Sequence, residues 1–427
     1  MNSATRIEEP DVCIASFADV HGWGGGIAAA NGLAEACRRR GLRSLTLGVS
    51  RSGGAVAGPP SEAERINVQL VARPGSWRIQ SWRVVGVLKR FLRQMAPPRV
   101  AFIGNSMYWV VAAKRVWPQL RVAYRWPCLL TNCLPFTWPA PKRPTFWQRV
   151  NLAGVSRAEM AALRLADLTL VATRANVEEL AAFCPAARER IVQSDFGCRE
   201  FELNDTARIR QRRALAVDDC TFLVTAIGVC DRNKGFDLAI RALASCDPRI
   251  VLLIVGDGPQ RPECERLARR LNLGARVRFV GAQREMAPWY AATDAVLSTS
   301  FYDAYPNVIR EAMWAGRPVI VPEHDPPHVY TGIAEVVRDA AAGIVYDRRR
   351  PETLVEAIDA LARGGRAARC GAAGQELARR AFCWDACLDR IVGRAPQPAT
   401  ASLPAAAAAS GCNVRTGGSH LAGVSPR

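Results

Sequence analysis

From Cys220 to Pro322 the sequence alternates short apolar runs, rich in β-branched residues, with stretches of amphipathic helix length, and that alternation restricts the chain to an α/β fold with parallel strands. CTFLVTAIG, RIVLLIVGDG, VRFVG, AVLSTS and RPVIVP read as strands. FDLAIRAL, PECERLARRLNLG and MAPWYAAT read as the helices between them, the second ending on a glycine cap. Strands this continuously apolar are buried on both faces, and ligands of such sheets bind beyond the carboxyl ends of the strands. The loops Val229 to Lys234 and Phe301 to Tyr305 leave from those ends. The first half opens the same way, with a strand Val12 to Ala18, the loop DVHGWGGG and a helix closing at Gly41. Further strands are predicted at 99–104, 120–126, 167–173 and 191–197. At 427 residues the chain holds two doubly wound domains facing a cleft, with CREFELNDTARIRQRR as linker and first helix of the second. A single amphipathic helix carrying Phe382 and Trp384 is predicted over GQELARRAFCWDACLDRIVG. Beyond Ala395, Ala, Ser, Gly and Pro dominate, and disorder is expected.

Residues 301–320, FYDAYPNVIREAMWAGRPVI, concentrate the chemistry. Asp303 and Glu311 stand on either side of a predicted helix start, where Pro306 suits the first turn because its missing N–H would be unpaired there. The helix is predicted from Pro306 through Trp314, with Gly316 ending it. A helix N-terminus is a site for a diphosphate, and Glu311, about one turn in, is placed to accept hydrogen bonds from vicinal hydroxyls.

Composition narrows the partners. No run of about 18 apolar residues occurs, and the opening MNSATRIEEPDVCIASF has acids where a leader needs basic and then apolar residues, so a cytoplasmic, non-spanning protein is expected. Fourteen cysteines without a CxxC pair or a zinc-spaced Cys/His cluster read as free thiols, and no metal is expected. The net charge of +18 is unevenly spread: between Glu64 and Glu159 there is no acid, but sixteen Lys or Arg and seven of the eleven Trp. Within that window Trp77 to Met95 winds into a basic amphipathic helix. Arg78, Arg83, Lys89, Arg90 and Arg93 fall on one side; Trp77, Val84, Leu88, Phe91, Leu92 and Met95 fall on the other. This reads as peripheral contact with an anionic membrane surface; the alternative is an apolar face packed on the chain's own sheet. No nucleic-acid-binding motif is present.

VGDGPQRPECERLARRLNLGARVRFVGAQREMAPWYAATDAVLSTSFYDAYPNVIREAMWAGRPVIV, together with AIGVCDRNKGFDLAIRAL and TGIAEVVRDAAAGIVYD, strongly resembles the second domain of glycosyltransferase family 4. That resemblance, over roughly residues 190–392, implies the GT-B fold: two Rossmann-like lobes (1–197 binding acceptor, 198–378 binding donor) and a last helix, 379–394, returning to the first lobe. It implies a retaining transferase that moves a sugar from a nucleotide diphosphate sugar to a lipid-linked or glycan acceptor, without a cofactor. Lys234 matches the family lysine on the diphosphate; Val229 stands where an arginine is usual, so Arg232 is the second candidate cation. Glu311 matches the ribose ligand and Asp303 replaces the first Glu of the motif. Tyr305, Pro306, Asn307 and Val308 present their backbone to the donor, and Gly25 and Gly26 allow close approach from the first lobe. On the acceptor side stand His21 and, in LLTNCLPFTWP, Asn132, where Thr131 and Asn132 replace a family His-Asp pair. His324 and His328 follow the strand after Glu311. The off-pattern Val229, Asp303 and Thr131 leave a second reading open, a non-catalytic nucleotide- or glycan-binding subunit.

Overall fold

The computed structural model describes residues 9–17, 25–50, 65–69, 81–137 and 145–393, all within one compact unit. His21, Gly24, Trp77, Arg78 and the tail beyond Ala395 lie outside the described residues.

The first lobe contains β1 (Val12–Ala15), α1 (Gly25–Arg39), β2 (Ser44–Ser50), β3 (Arg65–Gln69), α2 (Ser81–Leu92), β4 (Ala101–Gly104) and α3 (Met107–Val116). It continues with β5 (Val122–Arg125), α4 (Leu130–Thr137), α5 (Phe146–Leu165), β6 (Leu168–Val171), α6 (Arg174–Phe183) and β7 (Ile191–Gln193). The second contains α7 (Asp205–Ala214), β8 (Phe222–Ile227), α8 (Phe236–Leu243), β9 (Ile250–Val255), α9 (Arg261–Arg270), β10 (Val277–Gly281) and α10 (Ala287–Ala292). β11 (Ala295–Leu297), α11 (Asn307–Trp314), β12 (Val319–Pro322), α12 (Ile333–Asp339), β13 (Gly343–Tyr346), α13 (Pro351–Ala362), α14 (Arg366–Ala381) and α15 (Trp384–Val392) follow.

Both sheets are parallel throughout. The first runs β3-β2-β1-β4-β5-β6-β7 and the second β10-β9-β8-β11-β12-β13. Strand order reverses between β1 and β4 and between β8 and β11, which opens a crevice at the carboxyl end of each sheet. The loops after β8 and β11, which carry Lys234 and Asp303, rise beside the second crevice.

The single helix expected over 374–393 is two helices. α14 stops at Phe382 and α15 restarts at Trp384, because these two apolar anchors belong to different cores: Phe382 packs in the second lobe, Trp384 in the first. Trp384 lies against Gly32 of α1 and Gly197, where any Cβ would collide with its indole. Arg39 and Arg40 then bind Asp385 (2.6 and 2.8 Å) and Arg40 binds Asp389 (2.7 Å), so α15 is clamped along α1.

Of its two readings, the apolar face of the basic helix takes the one packed on the chain's own fold. In α2, Val84, Val85, Leu88 and Leu92 are buried in the first-lobe core, with Phe91 and Met95 packed against it. Trp109 and Trp126 are buried in the same core and Trp117 packs on it. The apolar face and these tryptophans are therefore not available to a bilayer; burying them against α3 and α5 removes the same surface from water without a membrane. Arg83, Arg90 and Arg93 remain exposed.

Candidate functional site

α11 begins where the sequence places it, but Pro306 is the residue before the helix, not its first turn: its φ of −63° and ψ of 128° are extended. Having no N–H, Pro306 presents no donor. No side chain caps α11, so the N–H groups of its first turn, Asn307 and Val308 among them, are free of side-chain partners and aimed at the crevice. Gly316, at φ +66°, ends the helix in the left-handed region that favours glycine.

In front of that helix Lys234 Nζ lies 2.6 Å from Asp303 Oδ2. Both side chains are about one-fifth exposed. Burial pulls the Lys234 ammonium down, but the Asp303 charge and hydrogen bond outweigh it and leave the group above its ordinary value, charged at neutral pH. Asn233, which sequence reading passed over, holds the two loops in register. Its Nδ2 donates to the Tyr302 carbonyl and its Oδ1 accepts the Tyr302 N–H, both at 2.9 Å. The Phe301 N–H reaches the Asn233 carbonyl at 2.8 Å, and the Thr299 hydroxyl reaches that of Lys234 at 2.7 Å. Gly235 closes the loop at φ +59°, where a Cβ would stand 2.8 Å from the Thr299 carbonyl. Arg232 is exposed and has no ion pair among the described residues; the structure does not join it to the Lys234–Asp303 pair. Val229, 56% exposed, leaves an apolar side chain at the loop mouth.

Glu311 is buried and accepts a hydrogen bond from the Tyr290 hydroxyl at 2.9 Å. Burial pushes its carboxyl above the usual range, opposed by the Tyr290 bond and by Arg199 and Arg310. Tyr290 in turn stacks on Phe201 at 5.3 Å, so this end of the crevice is a carboxylate set among aromatic rings. Tyr305 is held edge-on by Phe196 and Phe382, with the Arg310 guanidinium 4.7 Å from its ring centre. Its side chain is occupied by packing. The Val308 carbonyl accepts from the Tyr290 hydroxyl at 3.3 Å.

The first lobe reaches the same place. Asn307 Nδ2 donates to the Gly25 carbonyl at 3.2 Å, joining the start of α11 to the start of α1. A Cβ on Gly25 would stand 3.0 Å from that nitrogen, and one on Gly26 would be 3.1 Å from the Ser16 hydroxyl. Asn132 Nδ2 donates to Glu179 at 2.9 Å, while Thr131 donates its hydroxyl to Glu159, which also accepts the Leu130 N–H at 2.5 Å. Glu159 and Glu179 are two acids that sequence reading missed, because α5 and α6 read as ordinary helices. Burial raises both carboxyls to about 7 against these hydrogen bonds. The Tyr302 hydroxyl, from the second lobe, donates to the same Glu179 oxygen at 3.1 Å. Two titratable acids thus stand directly behind Thr131 and Asn132. His324 lies apart, its Nδ1 accepting the Thr331 N–H at 3.1 Å, in a cavity of about 330 Å³ between α6 and α12 that also holds Glu178 and Glu335.

No helix among the described residues is long and apolar enough to cross a membrane. Residues 221–363 match the model of the family described as glycosyl transferases group 1. Among curated relatives, the chain is 31% identical over 137 residues to the lipopolysaccharide core biosynthesis glycosyltransferase LpsE of Rhizobium meliloti, covering 32% of this chain and 38% of that protein. It is 30% identical over 234 residues to the D-inositol 3-phosphate glycosyltransferase of Xylanimonas cellulosilytica, covering 51% of this chain and 54% of the relative. The chain thus matches only about a third to a half of the length of these relatives. Among solved structures it resembles WaaG, a glycosyltransferase involved in lipopolysaccharide biosynthesis (TM-score 0.70, 19% identity, 90% of this chain and 100% of that one). It also resembles Anabaena HepE in complex with UDP-glucose (TM-score 0.67, 20% identity, 90% and 98%). These likenesses establish the GT-B fold.

Proposed function

We propose that this chain, whose residues 221–363 match the group 1 glycosyl transferase model, moves a sugar from a nucleoside diphosphate sugar to a lipid-linked or polysaccharide acceptor with retention of configuration. The observation that carries this reading is the Lys234–Asp303 pair standing before the uncapped start of α11, with Glu311 one turn in. Breaking the anomeric C–O bond builds negative charge on the leaving diphosphate; a fixed cation and the helix amides oppose that charge more strongly in the transition state than in the ground state. Lys234 and the N–H groups of Asn307 and Val308 take up this charge without a metal ion, with Arg232 contributing from the exposed rim. Glu311 accepts the ribose hydroxyls. Asp303 holds Lys234 in line and faces the sugar, while Gly25 and Gly26 admit the donor to the first lobe. The acceptor approaches past Asn132 and passes its hydroxyl proton to the departing phosphate oxygen on the face it attacks.

Incubation of the full chain with a panel of nucleotide sugars is expected to give slow hydrolysis of at least one, with UDP sugars tried first because UDP and UDP-glucose are bound in structural neighbours. Silence across the panel, with nucleotide binding intact, would favour the non-catalytic binding subunit that Val229, Asp303 and Thr131 motivate.

The acceptor reading extends to an anionic membrane surface met through the exposed Arg83, Arg90 and Arg93 of an acid-free window, by charge alone. Such contact is expected to pellet the chain with anionic vesicles at low salt, to fail with neutral ones, and to weaken as salt shortens the screening length. Equal pelleting with both vesicle types would remove it.

A further inference from the structure

Asp303 belongs to the second lobe, yet its chain neighbours Tyr302 and Ala304 are both buried in the hydrophobic core of the first, at 2% and 3% exposure. The Tyr302 hydroxyl accepts the Leu129 N–H at 2.8 Å and donates to Glu179 at 3.1 Å. Glu179 collects Asn132 on the same oxygen at 2.9 Å. The Tyr302 backbone, meanwhile, is held at both its N–H and its carbonyl by Asn233, the residue before Lys234. One residue is thus gripped by its side chain in the acceptor lobe and by its backbone in the donor lobe. Parting the lobes would expose a buried ring and break the Tyr302 hydroxyl's bonds to the Leu129 N–H and Glu179.

We propose that Glu179 is a positioning residue for the Lys234–Asp303 pair, acting through Tyr302, so that the donor-side carboxylate is set in place only while the acceptor-side segment 129–132 is docked. This rests on the glycosyl-transfer reading. It makes donor turnover depend on the acceptor lobe and thereby limits hydrolysis of the donor when no acceptor lobe is seated.

The test compares Tyr302→Phe, Glu179→Ala and Glu179→Gln in the full chain, with UDP as the binding probe and the panel's hydrolysed donor for turnover. Tyr302→Phe and Glu179→Ala are expected to keep UDP affinity within about twofold and donor KM near wild type, while kcat falls about 10- to 100-fold, the scale of a displacement near 1 Å at a reacting centre. Glu179→Gln is expected to restore most of kcat, since its amide oxygen accepts the same two hydrogen bonds. Wild-type kcat in Glu179→Ala, or an equal loss in Glu179→Gln, overturns the proposal. A wild-type chain that neither binds UDP nor hydrolyses any donor sinks the transfer reading instead. The link is then read by backbone hydrogen exchange at 301–304: faster exchange in Glu179→Ala than in Glu179→Gln supports it, and equal exchange overturns it.

Discussion

Replacing Lys234 with alanine is expected to lower donor turnover by about 10²- to 10³-fold, the usual effect of removing one fixed donor from a site of developing negative charge. Lys234 is the cation that ion-pairs with Asp303 among the described residues, 2.6 Å away; burial pulls its pKa down, but the Asp303 charge and hydrogen bond outweigh it. UDP affinity is expected to weaken as well, because the Asp303 carboxylate left behind repels a diphosphate. Asp303→Asn is expected to lower kcat while holding or tightening UDP binding, since the lysine is then freed for phosphate. The double variant should fall short of the summed losses, as expected of two groups in contact. Isothermal titration with UDP and single-turnover donor hydrolysis separate these effects. Unchanged affinity and turnover in Lys234→Ala would place the diphosphate elsewhere.

Arg310→Ala is expected to destabilise the fold by about 3–5 kcal/mol, read as a shift of the urea midpoint at constant slope. The guanidinium is fully buried and forms no close ion pair among the described residues. It donates to the carbonyls of Phe196 (3.0 Å) and Gly197 and to the Asn307 amide oxygen, and lies over Tyr305. Burial lowers its pKa, opposed by the nearby Tyr305, Cys198, Glu311 and Asp303. Truncation would leave two carbonyls at the junction of the lobes without a donor and open a cavity beside α11. Arg310→Met, which fills the volume but restores no hydrogen bond, should recover part of the loss. A change below about 1 kcal/mol would mean that the carbonyls find other partners.

Arg310 also marks the limit of what could be read beforehand. In sequence it is one of many arginines, on the same helix as Glu311 and with no pattern to separate it from a solvated one. The basic helix α2 stayed open between two readings for a related reason: its amphipathic period is genuine, but periodicity does not say whether an apolar face meets lipid or a neighbouring helix. Glu159 and Glu179 lay outside any motif because their significance arises from partners 28 and 47 residues away in the chain, Thr131 and Asn132. The break between α14 and α15 was invisible because both halves share one helical pattern.

The sequence by itself determined the α/β alternation, the parallel sheets, the start of α11 and the placing of the Lys234 and Asp303 loops at one strand-end crevice. These follow from local propensity and from the rule that sheet loops converge at strand ends. Tertiary structure decided which groups meet across the cleft: Asn307 with Gly25, Tyr302 with Glu179, and Trp384 against the glycines of the first lobe. Such contacts depend on how two separately formed sheets dock. Docking is governed by shape and by the pairing of buried polar groups over long chain separations, which no local periodicity records.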